Sequence, residues 1–249
     1  MTALVAAELL KFRTTRTAIG VLLAALGLVA VAAAGTVGTA EDNALGTSQL
    51  TQDTVSSALF ASLVAFIVGI LSVTVEWRHG TVTRTFLVTP RRVRILLAKE
   101  IWIAIFSAAL ALVGLLLVLA IAVPWLELRG SSLVLDRDAA SLAGRTVLAT
   151  MLWGALGVGV GAVVQSQTPA LVGAILWILL AEVLIGALLG LVDLEGVADY
   201  LPGRALSAFD GTIEDEGGLT RAVAGVVGLA WVVGLGALGW LRMSRQDVT

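Results

Sequence analysis

The chain has 249 residues, 58% of them hydrophobic and only 14% charged, with a formal net charge of −2. That balance is too apolar for an ordinary water-soluble domain and makes lipid the expected solvent. With no cysteine and a single histidine, a disulfide framework and a thiolate or histidine-built zinc site are both excluded.

In chain order, residues 1–17 come first. Between positions 4 and 16 they place Val5, Leu9 and Phe12 on one helical face and Glu8, Lys11 and Thr15 on another. This pattern predicts an amphipathic helix lying in the membrane interface with its cations near lipid phosphates; a short cytoplasmic tail is the alternative. Six apolar runs follow, at 18–38, 58–75, 101–126, 146–164, 169–192 and 222–241. About 20 apolar residues suffice for a helix to cross the hydrocarbon core. Alternation of the kind a β-barrel needs is absent, as Leu112 to Val123 shows. The expected fold is therefore an all-α polytopic membrane protein, a single domain of six transmembrane helices with an N-terminal interfacial helix. The first run is too long for a cleaved secretion signal, and five more spans accompany it.

Eleven of the Lys and Arg residues lie before the first span, between spans two and three, and after the last, whereas the other loops hold five. The acids are distributed the opposite way, thirteen in the second set of loops against four in the first. By the positive-inside rule both termini are expected in the cytoplasm. The same dipolar distribution accounts for the near-zero net charge and gives no reason to expect a nucleic-acid partner.

The loop 39–54 is polar and carries no recognisable chemistry. The loop 76–99 reads EWRHGTVTRTFLVTPRRVRILLAK, densely basic yet studded with Trp77, Val82, Phe86, Leu87 and Val88. A carboxylate at Glu76 opposes the negative C-terminal end of the second span and needs a cation, from Arg78 or a neighbouring helix. Gly80 permits a sharp reversal. Thr89 followed by Pro90 reads as an N-cap with proline in the first turn, so a helix running into the third span is expected to begin there. On spacing alone, Glu76, Arg78 and Gly80 could simply terminate a span, and His79 reads as a solvated side chain.

These residues carry a resemblance. Glu76-Trp77-Arg78-His79-Gly80-Thr81, then Thr89-Pro90 and Leu96-Leu97-Ala98-Lys99, resemble the E-x-R-x-G-T … T-P … L-L-x-K pattern of type-2 ABC transporter permeases, and the six-span layout is similar as well. The resemblance implies that Glu76, Arg78, Gly80, Thr81, Arg84, Phe86, Leu87 and Thr89 belong to a coupling element docked on a separate ABC-class ATPase subunit. It implies further a second permease subunit, identical or a paralogue, in a bacterial plasma membrane. ATP and Mg would then be bound by the partner, since this chain has no glycine-lysine phosphate loop: its only lysines, Lys11 and Lys99, follow Leu10 and Ala98. The coupling stretch departs from the family in carrying no acidic residue. No catalytic residue is expected, and the nearly charge-free spans suggest an amphiphilic or hydrophobic cargo. A non-transporting membrane scaffold or sensor that binds a partner through the basic loop is the alternative.

Glu182 is the one carboxylate deep within a span, either a functional group or a glutamate hydrogen-bonded to a neighbouring helix. Gly157 with Gly161, and Gly186 with Gly190, fit the small-xxx-small pattern of close helix packing, within the chain or at a dimer seam. Segment 193–221 is too long for a simple turn and is expected to hold two short helices. The resemblance makes it a re-entrant outer cap with Tyr200, Leu206 and Phe209 as gate candidates. Glu214, Asp215 and Glu216 lack the ligand pattern of a calcium loop and read as solvated acids.

Overall fold

The computed structural model describes residues 1–14, 16–89, 91–213 and 218–245, and shows no strand among them. Its helices are α1 (Thr2–Thr14), α2 (Arg16–Gly38), α3 (Ser48–Ser56), α4 (Phe60–Arg78), α5 (Val82–Val88), α6 (Arg92–Leu128) and α7 (Arg137–Val164). They continue as α8 (Gln167–Leu176), α9 (Glu182–Gly190), α10 (Glu195–Ala198), α11 (Pro202–Asp210) and α12 (Arg221–Ser244). A 3-10 turn fuses α3 to α4, and a π turn at Trp177–Ala181 fuses α8 to α9. Six helices are thereby long and apolar enough to cross a membrane: the chain is an all-α multi-pass membrane protein.

Several elements outrun their apolar cores. The second span begins at Ser48, because Thr47 caps the helix by accepting from Leu50 N at 3.2 Å. The loop 39–54 is thus largely helical, and Arg129 braces it by donating to the carbonyls of Val37 and Ala40. The third span is one continuous helix through Pro124, whose missing N–H a membrane helix tolerates near its end. Thr89 does not cap that helix. It is the C-terminal cap of α5, its N–H donating to Thr85 O at 2.9 Å, and α6 starts only at Arg92. Pro90 lies outside the described residues.

The centre of the bundle is the pair α4 and α7, where glycine replaces side-chain bulk. A methyl added at Gly157 would collide with Phe66 O, and one at Gly69 with Gly154 O and Val158 N. Backbones this close are what small residues permit in lipid, where the hydrophobic effect supplies no drive for helices to associate. Ser62 and Thr150 share a hydrogen bond of 2.9 Å across the same crossing. Gly157 and Gly161 therefore meet α4 of their own chain, and Gly186 and Gly190 face Arg204 and Glu195, which accounts for both small-residue pairs by packing within the chain. The second span is 61% buried over its most apolar window and the fifth only 11%. Val172, Leu179, Leu184 and Leu188 of the fifth turn outward.

Candidate functional site

The second span ends in a reversal built on Gly80, which has φ +64°. Thr81 N donates to Glu76 O at 3.0 Å and Gly80 N to Trp77 O at 3.2 Å, the paired bonds of a Schellman motif. That turn launches α5, and a second break after Thr89 launches α6, so α5 hangs between the ends of spans two and three. Thr81 is exposed and Leu87 is 71% exposed. The side chains of Arg84 and Phe86 lie outside the described residues.

Above this hairpin sits a buried ion cluster. Lys99 Nζ, 2% exposed, donates to Glu76 Oε1 at 2.7 Å, Glu8 Oε2 at 2.9 Å and Ser72 O at 2.7 Å. Lys11 Nζ reaches the same two carboxylates, Glu8 Oε1 at 2.6 Å and Glu76 Oε1 at 2.7 Å. Two lysines thus alternate with two glutamates from three elements, α1, α4 and α6. Desolvation pulls the Lys11 ammonium down, but the charge and hydrogen bond of Glu76, then those of Glu8, outweigh it and hold the group above the usual lysine value.

The cluster corrects the expected layout of the N-terminal helix. Glu8, placed by periodicity on the polar outer face, is buried, whereas Leu9 and Leu10 are exposed. Val5 and Phe12 do pack inward, Phe12 edge-on to Phe106 at 4.9 Å. Thr15 lies outside the described residues. The reason is electrostatic: Lys99, inside the bundle, requires anions, and Glu8 is within reach only if α1 turns that face inward. The cation foreseen for Glu76 comes from neighbouring helices and not from Arg78, which is exposed and donates to Gln167 Oε1 at 2.9 Å. The next residue of α6 after Lys99, Glu100, has a buried oxygen, Oε1, without a hydrogen-bond partner among the described residues.

A second polar centre lies towards the opposite end. Glu182, 4% exposed, accepts from Gly203 N at 2.8 Å, Arg204 N at 3.0 Å and Trp177 Nε1 at 2.9 Å. It caps α11 from another helix, since α11 starts at Leu201 and Pro202 with no side-chain cap of its own, and a carboxylate suits the positive end of a helix. The π turn makes this geometry. Residues five apart diverge on an α-helix but nearly superimpose when the turn widens, so Trp177 lies beneath Glu182. A methyl at Gly203 would come within 2.6 Å of Glu182 Oε2, so no larger residue admits the carboxylate. Next to it, a cavity of about 290 Å³ between spans four, five and six is lined by Trp153, Trp177, Trp231 and Pro202.

The segment after span five holds both expected short helices, α10 and α11. Of the gate candidates, Leu206 is fully buried against Leu152 and the α12 glycine Gly228, and Phe209 sits on Gly225. Tyr200 is 51% exposed, and its carbonyl accepts from Trp231 Nε1 at 2.8 Å. Glu214, Asp215 and Glu216 lie outside the described residues. Among the described residues no group of His, Asp or Glu is arranged to hold a metal ion. Comparison of the chain with protein-family models and with curated proteins finds no match, so residues and geometry alone carry the functional argument.

Proposed function

We propose that this chain is the membrane-spanning permease subunit of an ATP-driven ABC exporter in the bacterial plasma membrane, with its basic end and both termini in the cytoplasm. It works as a pair of permease subunits above two ATPase subunits, which bind the ATP and Mg. The observation that carries the reading is the contact of Glu76 with Lys99. These two residues of the permease-like pattern stand 23 apart in sequence and bracket the α5 hairpin, yet they meet at 2.7 Å in a buried cluster. A hairpin mounted this way is stiff at its root. A push on α5 from a closing ATPase reaches spans two and three, and the N-terminal helix through Glu8, instead of dissipating in a loop. Motion of those spans against a second subunit would open a route for an amphiphilic or hydrophobic cargo, and the outward apolar faces of spans one and five are available for that pairing.

The test replaces residues 81–89 with a Gly-Ser linker and follows co-purification of an ABC-class ATPase from the native membrane together with its ATPase activity. Loss of both the partner and its stimulated turnover is expected. An unchanged complex with unchanged coupled activity overturns the coupling role. A complex whose turnover never responds to this chain, wild type included, favours the scaffold.

A further inference from the structure

Between α1, α2, the end of α4, the start of α6 and the first residue of α8 lies a second cavity, of about 320 Å³. Its walls are of two kinds. Phe12, Val21, Val68, Leu71 and Trp102 form an apolar side, while Lys11, Arg78, His79 and Gln167 stand at a polar end. The carboxylates in its lining, Glu8 and Glu76, are matched one for one by Lys11 and Lys99, so that cluster is balanced within itself and the charge of Arg78 at the mouth is not cancelled by it. Arg78 is exposed and spends one donor on the neutral Gln167, and among the described residues the rest of its guanidinium fork has no hydrogen-bond partner. His79 beside it is exposed as well.

We propose that this cavity binds one anionic phospholipid from the leaflet at the basic end of the bundle. Its phosphate pairs with Arg78, with Lys11 and His79 adjoining, and its upper acyl chain lies along Val21, Leu71 and Trp102. The charge pattern selects the class. A planar guanidinium with free donors matches a phosphate bidentately, and an apolar wall directly beside it matches the chain that hangs from such a headgroup. The volume lies at the low end for small-molecule sites and suits the headgroup and upper chain of a lipid whose tails stay in the bilayer. The lipid would wedge the N-terminal helix against spans one, two and five. This inference does not require the transport reading, and its failure would leave that reading intact.

The test reconstitutes the full chain in vesicles of equimolar phosphatidylglycerol and phosphatidylcholine, extracts it gently and counts retained lipid by native mass spectrometry. The wild type is expected to retain phosphatidylglycerol in preference to phosphatidylcholine. Arg78→Gln should lower that retention about fivefold, the worth of one cation near an anionic headgroup, whereas Arg78→Lys keeps most of it. Leu71→Trp, which fills the apolar wall, should expel the lipid while the chain stays monodisperse, and if that variant does not fold, the two Arg78 variants decide. Short-chain phosphatidylglycerol should displace the native lipid where inorganic phosphate at equal concentration does not. Equal retention of both lipids, indifference to Arg78→Gln, or equal displacement by inorganic phosphate each overturns the proposal.

Discussion

Two of the buried glutamates, Glu76 and Glu182, are stabilised by opposite means. Glu76 is held by side chains: two ammonium groups arrive from α1 and α6, and both are shared with Glu8. Glu182 is held by backbone: the first N–H groups of α11 and one indole take its two oxygens. The first arrangement locks three elements by net charge, so removing any member leaves a full charge unpaired where water is scarce. The second locks two elements by dipoles, and its loss leaves orphaned donors without an uncompensated ion. The basic end is therefore a rigid mount, and the opposite end a latch of smaller energy on a short helix.

The largest effect should follow from Lys99→Met. It leaves Glu8 and Glu76 to share only Lys11, whose side chain is 48% exposed. Breaking a buried pair from one side costs about 3–5 kcal/mol, so the variant should show a strongly lowered apparent Tm in detergent and reduced accumulation in the membrane. Lys99→Met combined with Glu76→Gln should recover much of that loss, since the uncompensated charge goes with its partner. Lys11→Met should cost less than Lys99→Met, because solvent already screens that ammonium. Equal melting of the wild type and Lys99→Met would show that the cluster does not carry the charge-locked mount.

A middle-sized effect is expected at the latch. Glu182→Ala leaves Gly203 N, Arg204 N and the Trp177 indole without their acceptor, a cost of about 1–3 kcal/mol. Glu182→Gln keeps one acceptor oxygen and should lose less. The readout that separates this from general destabilisation is hydrogen exchange: amides at 203–206 should exchange faster in Glu182→Ala while those of α4 and α7 do not. Gly203→Ala should reproduce the effect with the carboxylate intact, because the added methyl occupies its seat.

Six spans, their approximate positions and the short helices after span five are legible in the sequence, because a run of about 20 apolar residues has few other uses. The need of Glu76 for a foreign cation is legible too, from its place at a helix C-terminus. The identity of that cation is not. Lys99 is legible as part of the permease-like pattern on a helix expected to begin near Pro90, but that its ammonium turns inward between α1 and α4 depends on how three helices pack, which spacing along one chain does not give. Glu8 is misplaced by periodicity for the same reason: with few turns sampled, helical phase decides little, and one buried ammonium outweighs the apolar stripe. Glu182 is legible as an exception within its span, but its role as a cap depends on a π turn that has no compositional signature.

The smallest predicted effect concerns the far end of the latched helix. Asp210 closes α11 and is buried, and burial pushes its carboxyl up to about 6, against the lowering influence of its bonds from Thr212 and the charge of Arg145 on α7. Its position at a helix C-terminus disfavours a negative charge as well. Because the folded pKa lies above the ordinary value of 3.8, the protonated form is favoured in the fold. The stability it contributes is fully present below that ordinary value and is lost as pH rises through about 6. The end of α11 around 207–213 should therefore be better protected from hydrogen exchange, corrected for the intrinsic rate, at pH 5 than at pH 7. Asp210→Asn should flatten that dependence while leaving the Glu182 end of the helix, two turns away, at its wild-type protection. A pH dependence that persists in Asp210→Asn would assign the titration to another group and would separate the two ends of α11 from the single latched unit described above.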